Sequence, residues 1–389
     1  MYRPTYIRIN GDNLESNVKN IIKNYPSYKY YFGVVKNNAY HHGFYSVKYL
    51  INGGVNYLAV SSLEEALEIR KYNTEIPILI LEPIKPEFIF DAINNNITIT
   101  VSSMDQANDI TMMSFKDKLK IHLKVDSGMN RLGFKDKTRL SRAYHVLRVM
   151  KNVEVEGIYT HFSTSGVQDR YYNEFLERFR KITSSIDLSE IKIVHADRSI
   201  TLTTHDKIQE VNGVRLGIIM YGFDQKIPEG NFFRKLKRKF LQKELDITNV
   251  HLSNNLKLKY AFNVSSEVIE FRRAVTGEAV GYGQSFKVNY PMYIATVPIG
   301  YADGVTKEFS KVVVNGRICK IVADSMDMIM IASEKLFRVG DKVVIIGPDF
   351  TIRDISRRLG ENAYHTLNRF STRLAYIYEY KGERIEVKY

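Results

Sequence analysis

The chain has 389 residues, 44% of them hydrophobic and 25% charged, with no run of eighteen apolar residues; this excludes a disordered or collagen-like chain and a transmembrane helix. A single cysteine, Cys319, excludes an internal disulfide and a thiol metal cluster, and no metal site is expected. Lys and Arg total 56 against 43 acidic residues, and the resulting +13 admits nucleic acid, an anionic surface or anionic ligands as partners.

The opening residues Met1-Tyr2-Arg3-Pro4 lead directly into the alternating stretch Thr5–Asn10 and lack the apolar core of a signal peptide, which points to the cytosol. Apolar, β-branched runs then follow at Tyr31–Val35, Val55–Val60, Ile78–Leu81, Ile97–Val101, Leu119–Val125, Val153–Tyr159, Ile191–Val194 and Val214–Met220. Helical periodicity separates several of them, as at Leu63–Ile69 behind a Ser62 cap with Glu64 and Glu65 in its first turn, and at Tyr171–Ile182. Eight strands without alternation imply a parallel sheet buried on both faces, and eight βα units in roughly 220 residues fit a (β/α)8 barrel. A doubly wound open sheet is the alternative. After Gly222 the pattern changes. A polar, basic stretch at 229–255 has no barrel counterpart, and short alternating segments follow at Val264–Phe271, Tyr293–Val297, Val312–Val314, Met328–Ile331, Lys342–Ile346 and Arg373–Tyr380. They read as a mainly antiparallel β-domain. The expected organisation is a barrel over 10–228, a linker insertion over 229–255 and a β-domain over 256–389, with the opening strand at 2–9 joined to the latter.

Barrel chemistry sits at the C-terminal ends of the strands. Lys36 ends the first, Lys124 and Asp126 the fifth, Thr160-His161-Phe162 the sixth and His195-Ala196-Asp197-Arg198-Ser199 the seventh, while Arg215 lies on the eighth ahead of Gly217-Ile218. A lysine ending an apolar strand is desolvated in a barrel mouth, which lowers its pKa and makes the amine a nucleophile toward a carbonyl substrate or pyridoxal phosphate. An ion pair with a rim carboxylate is the plainer alternative. Pyridoxal phosphate needs a phosphate site, which the amides of Gly217-Ile218 and the hydroxyls of Ser199 and Tyr40 can supply. An arginine such as Arg215 at the ring nitrogen weakens the electron sink and favours simple proton removal and return. His161 and His195 by themselves read more readily as core histidines.

The motif Val35-Lys36-x-Asn38-Ala39-Tyr40-x-His42-Gly43 resembles the cofactor-lysine motif of the alanine racemases, which are fold-type III pyridoxal phosphate enzymes. The resemblance continues in order through Lys124-x-Asp126-Ser127-Gly128-Met129-x-Arg131-x-Gly133, Thr160-His161-Phe162, Val214-Arg215-x-Gly217-Ile218, Gly281-Tyr282-Gly283, Pro298-Ile299-Gly300-Tyr301-Ala302-Asp303-Gly304 and Ser325-Met326-Asp327. It implies a racemase of amino acids, most simply of alanine. Lys36 would carry the cofactor and act as one base, and Tyr282, reaching across from a second subunit, would act as the other. Tyr40, Ser199, Gly217, Ile218 and Tyr364 would hold the phosphate, Arg215 the ring nitrogen, and His161 would stack on the ring. Arg131 and the backbone of Met326 would meet the substrate carboxylate, and Lys124 would be a carbamylated lysine that positions Arg131. The resemblance further implies a homodimer with shared sites, a soluble cytoplasmic enzyme, and no nucleic-acid or membrane partner.

The sequence departs from the family pattern at Asn37, His41, Asp197-Arg198, Gly166 and Ala323. Loss of an acidic residue at 166 and of an arginine at 323 implies a wider mouth and room for larger amino acids. The rivals are a decarboxylase of the same architecture, opposed by Arg215 and Tyr282, and a non-catalytic pyridoxal phosphate carrier, opposed by the second domain. A nucleic-acid-binding protein rests on charge alone. Six positives fall in Arg234–Lys243, and +13 less these six leaves +7 for the rest, so a solvated linker helix and an anion-binding site account for the charge.

Overall fold

The computed structural model describes residues 2–163, 169–223 and 256–387; the basic segment 234–243, the expected linker 229–255 and Gly166 lie outside the described residues. The chain divides into two compact units, Glu15–Ala39 with Val47–Lys259, and Met1–Leu14 with Tyr40–Ser46 and Tyr260–Tyr389. Residues 40–46, inside the barrel span expected from sequence, group with the β-unit.

The first unit is a closed barrel of eight parallel strands: Tyr30–Val34, Tyr57–Val60, Ile78–Ile80, Ile97–Val101, Leu119–Val125, Val153–Thr160, Ile193–Arg198 and Gly213–Leu216. It closes through parallel pairing of Tyr30–Val34 with Gly213–Leu216, in the register Tyr30↔Gly213. Tyr57–Val60 and Ile97–Val101 are buried at every position, which is why their sequences show no alternation. The intervening helices start where the sequence offers a cap. Ser62, Ser103 and Asp136, each extended, accept hydrogen bonds from the amides of Glu65 (3.4 Å), Gln106 (3.3 Å) and Arg139 (2.8 Å). The largest departures from the expected strand limits are at the ends of the seventh and eighth strands. The seventh strand runs on to Arg198 through a bulge between His195 and Asp197, and the eighth stops at Leu216, where Gly217 leads into the tight turn Ile218–Tyr221.

The second unit is a ten-stranded sheet, and its opening strand Tyr6–Asn10 sits between Phe262–Glu267 (antiparallel) and Ala375–Tyr380 (parallel). The segment expected as one strand, Val264–Phe271, is two. Val268 leaves the ladder to bond the turn at Gly340-Asp341, and Glu270–Ala274 pairs instead with Met292–Val297. Arg317–Asp324 and Glu383–Val387 are strands absent from the sequence reading, as are the helices Ile352–Leu359 and Ala363–Leu367. A two-stranded hairpin, Ala279–Val280 with Phe286–Lys287, carries Tyr282 in its turn. Among the described residues no helix is long and apolar enough to cross a membrane.

Candidate active site

Lys36 follows the first barrel strand and opens a single turn of helix, Lys36–His41, in which Asn37, Asn38, Ala39, Tyr40 and His41 all have φ between 51° and 65°. Left-handed helix costs about 1–2 kcal/mol per non-glycine residue, so five in succession are retained only where surrounding contacts fix them. The two asparagines suit this conformation better than most residues. Glu65 anchors the start of the turn, accepting from the amides of Asn37 and Ser61, and the Ala39 amide bonds back to the Val35 carbonyl at 2.8 Å. At its end, His41 is buried with its ring near Phe262, Phe370 and Tyr376, and burial lowers its pKa to about 4. Lys36 itself is exposed in the single chain, contrary to the expected desolvation.

That desolvation falls on Lys124. Its side chain is buried at the end of Leu119–Val125 with Nζ 5.0 Å from the Tyr159 ring centroid. Burial first, then the cations Arg215, Arg131 and Lys36, lower its pKa to about 7 against the opposing pull of Asp126. Asp126 is otherwise occupied in folding the loop that carries Arg131. Its carboxylate accepts from the amides of Gly128 and Asn130, both at 3.0 Å, and of Arg131 at 3.1 Å. The loop closes back on the strand as the Phe134 amide meets the Lys124 carbonyl at 2.8 Å. Gly133 (φ 122°) passes so close that a Cβ there would lie 2.7 Å from the Asp126 nitrogen.

Arg215, fully inside the barrel, is the best-held cation. Its Nη1 donates to His195 Nδ1 at 2.6 Å, and its Nη2 to the carbonyls of Thr160 (2.7 Å) and Ala196 (3.0 Å) and to His161 Nδ1 (3.5 Å). Burial lowers its pKa to about 10, so it is charged at neutral pH with no carboxylate hydrogen-bonded to it. Its Nε meets no acceptor among the described residues. His161 is held neutral by desolvation and by Arg215, Arg198, Lys124 and Arg131. Ser199 Oγ accepts from the Gly217 amide at 2.8 Å, which brings two of the expected phosphate residues together beside Ile218. The departure at 197 also has a structural role, since Asp197 is buried and accepts the Tyr28 hydroxyl at 2.8 Å.

In the β-unit, Tyr40 and Tyr364 lie with ring centroids 5.6 Å apart. Met326 is 55% exposed and Tyr282 83% exposed. Gly281 (φ 81°) lets the hairpin turn sit directly on Ala323, whose Cβ would lie 2.4 Å from a Cβ at 281. The sequence reading did not single out His122, Glu156 or Tyr159, which line the barrel interior. The available signal was a polar residue inside an apolar strand, His122 in Leu119–Val125 and Glu156 in Val153–Thr160.

The buried histidines have a consequence for stability. Desolvation lowers the pKa of His41, His122, His161 and His195, so the native state resists protonation that the unfolded chain accepts below about pH 6.5. Their contribution is complete above that pH and is lost as pH falls toward the folded values. Urea unfolding at fixed pH is expected to show at least about 2 kcal/mol lost between roughly pH 6.5 and 5, before most carboxylates titrate; a flat profile would contradict the neutral assignment.

A closed parallel barrel with buried cations at its strand ends and an exposed lysine on a left-handed turn suits an enzyme that takes up an anionic ligand. Residues 9–225 match the alanine racemase N-terminal domain and residues 261–378 the alanine racemase C-terminal domain. The chain is 33% identical over 388 residues to the alanine racemase of Streptococcus suis (strain 98HAH33), covering 97% of this chain and 99% of that one. Among solved structures it is similar to the alanine racemase from E. faecalis (TM-score 0.86, 30% identity, 97% and 99% covered). It is also similar to a histidine racemase from Leuconostoc mesenteroides subsp. sake NBRC 102480 (TM-score 0.84, 25% identity, 97% and 99% covered). The chain belongs to the alanine racemase family and is a pyridoxal phosphate-dependent amino-acid racemase. The residues present fit that cofactor. Arg215 Nε is unspent for a ring nitrogen, the Ser199 hydroxyl accepts from the Gly217 amide and keeps its own proton to donate to a phosphate, and the surrounding cations await negative charge.

Proposed function

We propose that the enzyme interconverts L- and D-alanine by a two-base proton exchange, with Lys36 on one face of the substrate Cα and the partner subunit's Tyr282 on the other. The observation that carries this reading is Arg215. A ring nitrogen facing a permanently charged donor is held as an acceptor, so electron withdrawal is modest and proton exchange is favoured over transamination or decarboxylation. When bound, the cofactor acidifies the Cα–H bond. The protein's part is to hold the substrate carboxylate through Arg131 and the Met326 backbone, to fix the phosphate through Tyr40, Ser199, Gly217, Ile218 and Tyr364, and to stack His161 against the ring. Lys36 Nζ or Tyr282 Oη removes the proton, and the other returns one from the opposite face. The 83% exposure of Tyr282 at a hairpin tip supports insertion into a second copy, hence a homodimer with shared sites. The reading includes a cytoplasmic enzyme that supplies D-alanine for cell-wall peptidoglycan.

Lys124 enters the proposal as a carbamate. A buried amine with a pKa of about 7 among three cations is neutral enough to add CO2, and the product anion would offset Arg131, Arg215 and Lys36. Carbon-13 bicarbonate is expected to give one carbamate resonance that disappears in Lys124→Ala; its absence from the wild-type protein would refute this assignment.

A broader substrate range is the second reading, favoured by one observation. Ala323, 1% exposed beneath Gly281, puts no charge beside the Tyr282 hairpin, and one structural relative is a histidine racemase. A racemisation panel of L-alanine, serine, histidine, lysine and arginine separates the two. Alanine far above the others supports the first reading, and comparable rates on a larger amino acid support the second.

A further inference from the structure

Barrel interiors are usually filled with Val, Ile and Leu. This one contains a column of buried polar side chains that ends on Arg215. Glu156 accepts from Lys192 Nζ and the Tyr57 hydroxyl, each at 2.7 Å, and stands 3.3 Å from His122 Nε2. His122 Nδ1 lies 2.9 Å from His195 Nε2, and His195 Nδ1 lies 2.6 Å from Arg215 Nη1. We infer that Glu156 is a positioning residue, anchoring a one-way chain of hydrogen bonds through His122 and His195 that holds the Arg215 guanidinium with its Nε left for the cofactor's ring nitrogen. This rests on the assignment of Arg215 to that nitrogen.

The direction of the chain follows from the donor inventory. A guanidinium has no acceptor, so His195 Nδ1 must accept and its proton must sit on Nε2. His122 Nδ1 then accepts from His195, and His122 donates from Nε2 to the only acceptor at the end, the Glu156 carboxylate. Each ring is neutral in this arrangement, as desolvation favours for both. Burial alone would raise the Glu156 pKa, but its hydrogen bonds with His122, Lys192 and Tyr57 outweigh that and keep it ionised. A proton added to His195 would set N–H against N–H at 2.6 Å and push Arg215 away.

Packing makes the chain rigid. The His195 ring is stacked between Phe32 (centroids 4.5 Å, 15°) and Tyr159 (4.6 Å, 11°), so it cannot turn to exchange its nitrogens. His122 occupies the space that Gly157 leaves, where a Cβ would come within 2.6 Å of the ring. Both constraints favour the single arrangement over the alternative tautomers.

The test uses the holoenzyme labelled with nitrogen-15 histidine. In the wild-type protein two buried histidines should remain neutral Nε2–H tautomers across neutral pH; a cationic or Nδ1–H form of either would overturn the proposal. In Glu156→Gln the amide can donate to His122 Nε2 and reverse both tautomers. The expected result is a loss of about 10–100-fold in kcat with KM changed less than about threefold. The pH midpoint of the bound cofactor's visible absorbance should also shift, and Glu156→Asp should recover part of both. Gly157→Ala, which crowds His122 without removing a polar group, should produce the same spectral shift. A folded Glu156→Gln or Gly157→Ala enzyme with wild-type tautomers, spectrum and kcat overturns the proposal. If neither variant folds, the wild-type tautomers decide. A wild-type protein that never acquires cofactor absorbance would instead refute the cofactor assignment itself.

Discussion

Lys36→Ala is expected to lose racemisation by at least about 10⁴-fold and to lose the visible absorbance of lysine-bound cofactor, because in the proposed mechanism Lys36 is both the attachment point and one of the two bases. The prediction is discriminating because the barrel holds a second lysine whose lowered pKa also suits nucleophilic attack. Lys124 is the one lowered to about 7. It is also enclosed, with Nζ over the Tyr159 ring and cations on several sides, so a bulky carbonyl cannot reach it. Lys36 is accessible, and the five residues of left-handed backbone that follow it, Asn37–His41, fix the turn on which it stands. Access therefore decides between the two lysines. Borohydride trapping followed by peptide mapping checks this directly. Label on Lys36 is expected, and label on Lys124 would overturn the assignment.

Tyr282→Phe carries the second large effect. Loss of a general acid–base group costs about 10²–10⁴-fold, and in a racemase the form of the loss is constrained by thermodynamics. Enantiomers have equal free energy, so kcat/KM must fall equally in both directions whichever base is missing. The asymmetry appears instead in exchange. The enantiomer whose proton faces Lys36 should still take up solvent deuterium at Cα while its conversion to the mirror image nearly stops. Equal loss of exchange from both enantiomers would remove Tyr282 from the role of second base. The fold should be unaffected, since the ring is exposed at a turn and only its hydroxyl is removed.

Much of the barrel was legible because its strands are buried on both faces and therefore read as uninterrupted apolar runs, and because Ser62 announces its helix. The β-unit was harder. Arg317–Asp324 follows a two-residue Asn315-Gly316 turn with both φ values positive, a hairpin signal, but its alternation is blurred by the exposed Ile318 and by a bulge near Val322. Glu383–Val387 is an exposed edge strand of mostly charged residues, and no hydrophobic pattern marks it. The strand 264–271 was over-extended because Val268 and Ile269 continue an apolar pattern while their hydrogen bonds go elsewhere. In the site, motif order marked the candidate residues, and of the two lysines expected at strand ends it is Lys124 that the fold buries while Lys36 stays exposed. No local pattern foretold that His122, Glu156 and His195 connect, since each lies on a different strand and only barrel closure brings them into line. The left-handed turn after Lys36 was hinted at only by consecutive asparagines.

In the proposed mechanism Lys36 of one subunit and the partner subunit's Tyr282 act on the same substrate. Mixing the inactive Lys36→Ala and Tyr282→Phe proteins under conditions that exchange subunits tests it in one measurement. A mixed dimer would contain one site with both bases intact, so equal amounts should restore about a quarter of wild-type activity. If Tyr282 serves its own subunit, or the protein acts as a monomer, no combination of these chains assembles both bases, and the mixture would remain as inactive as its parts.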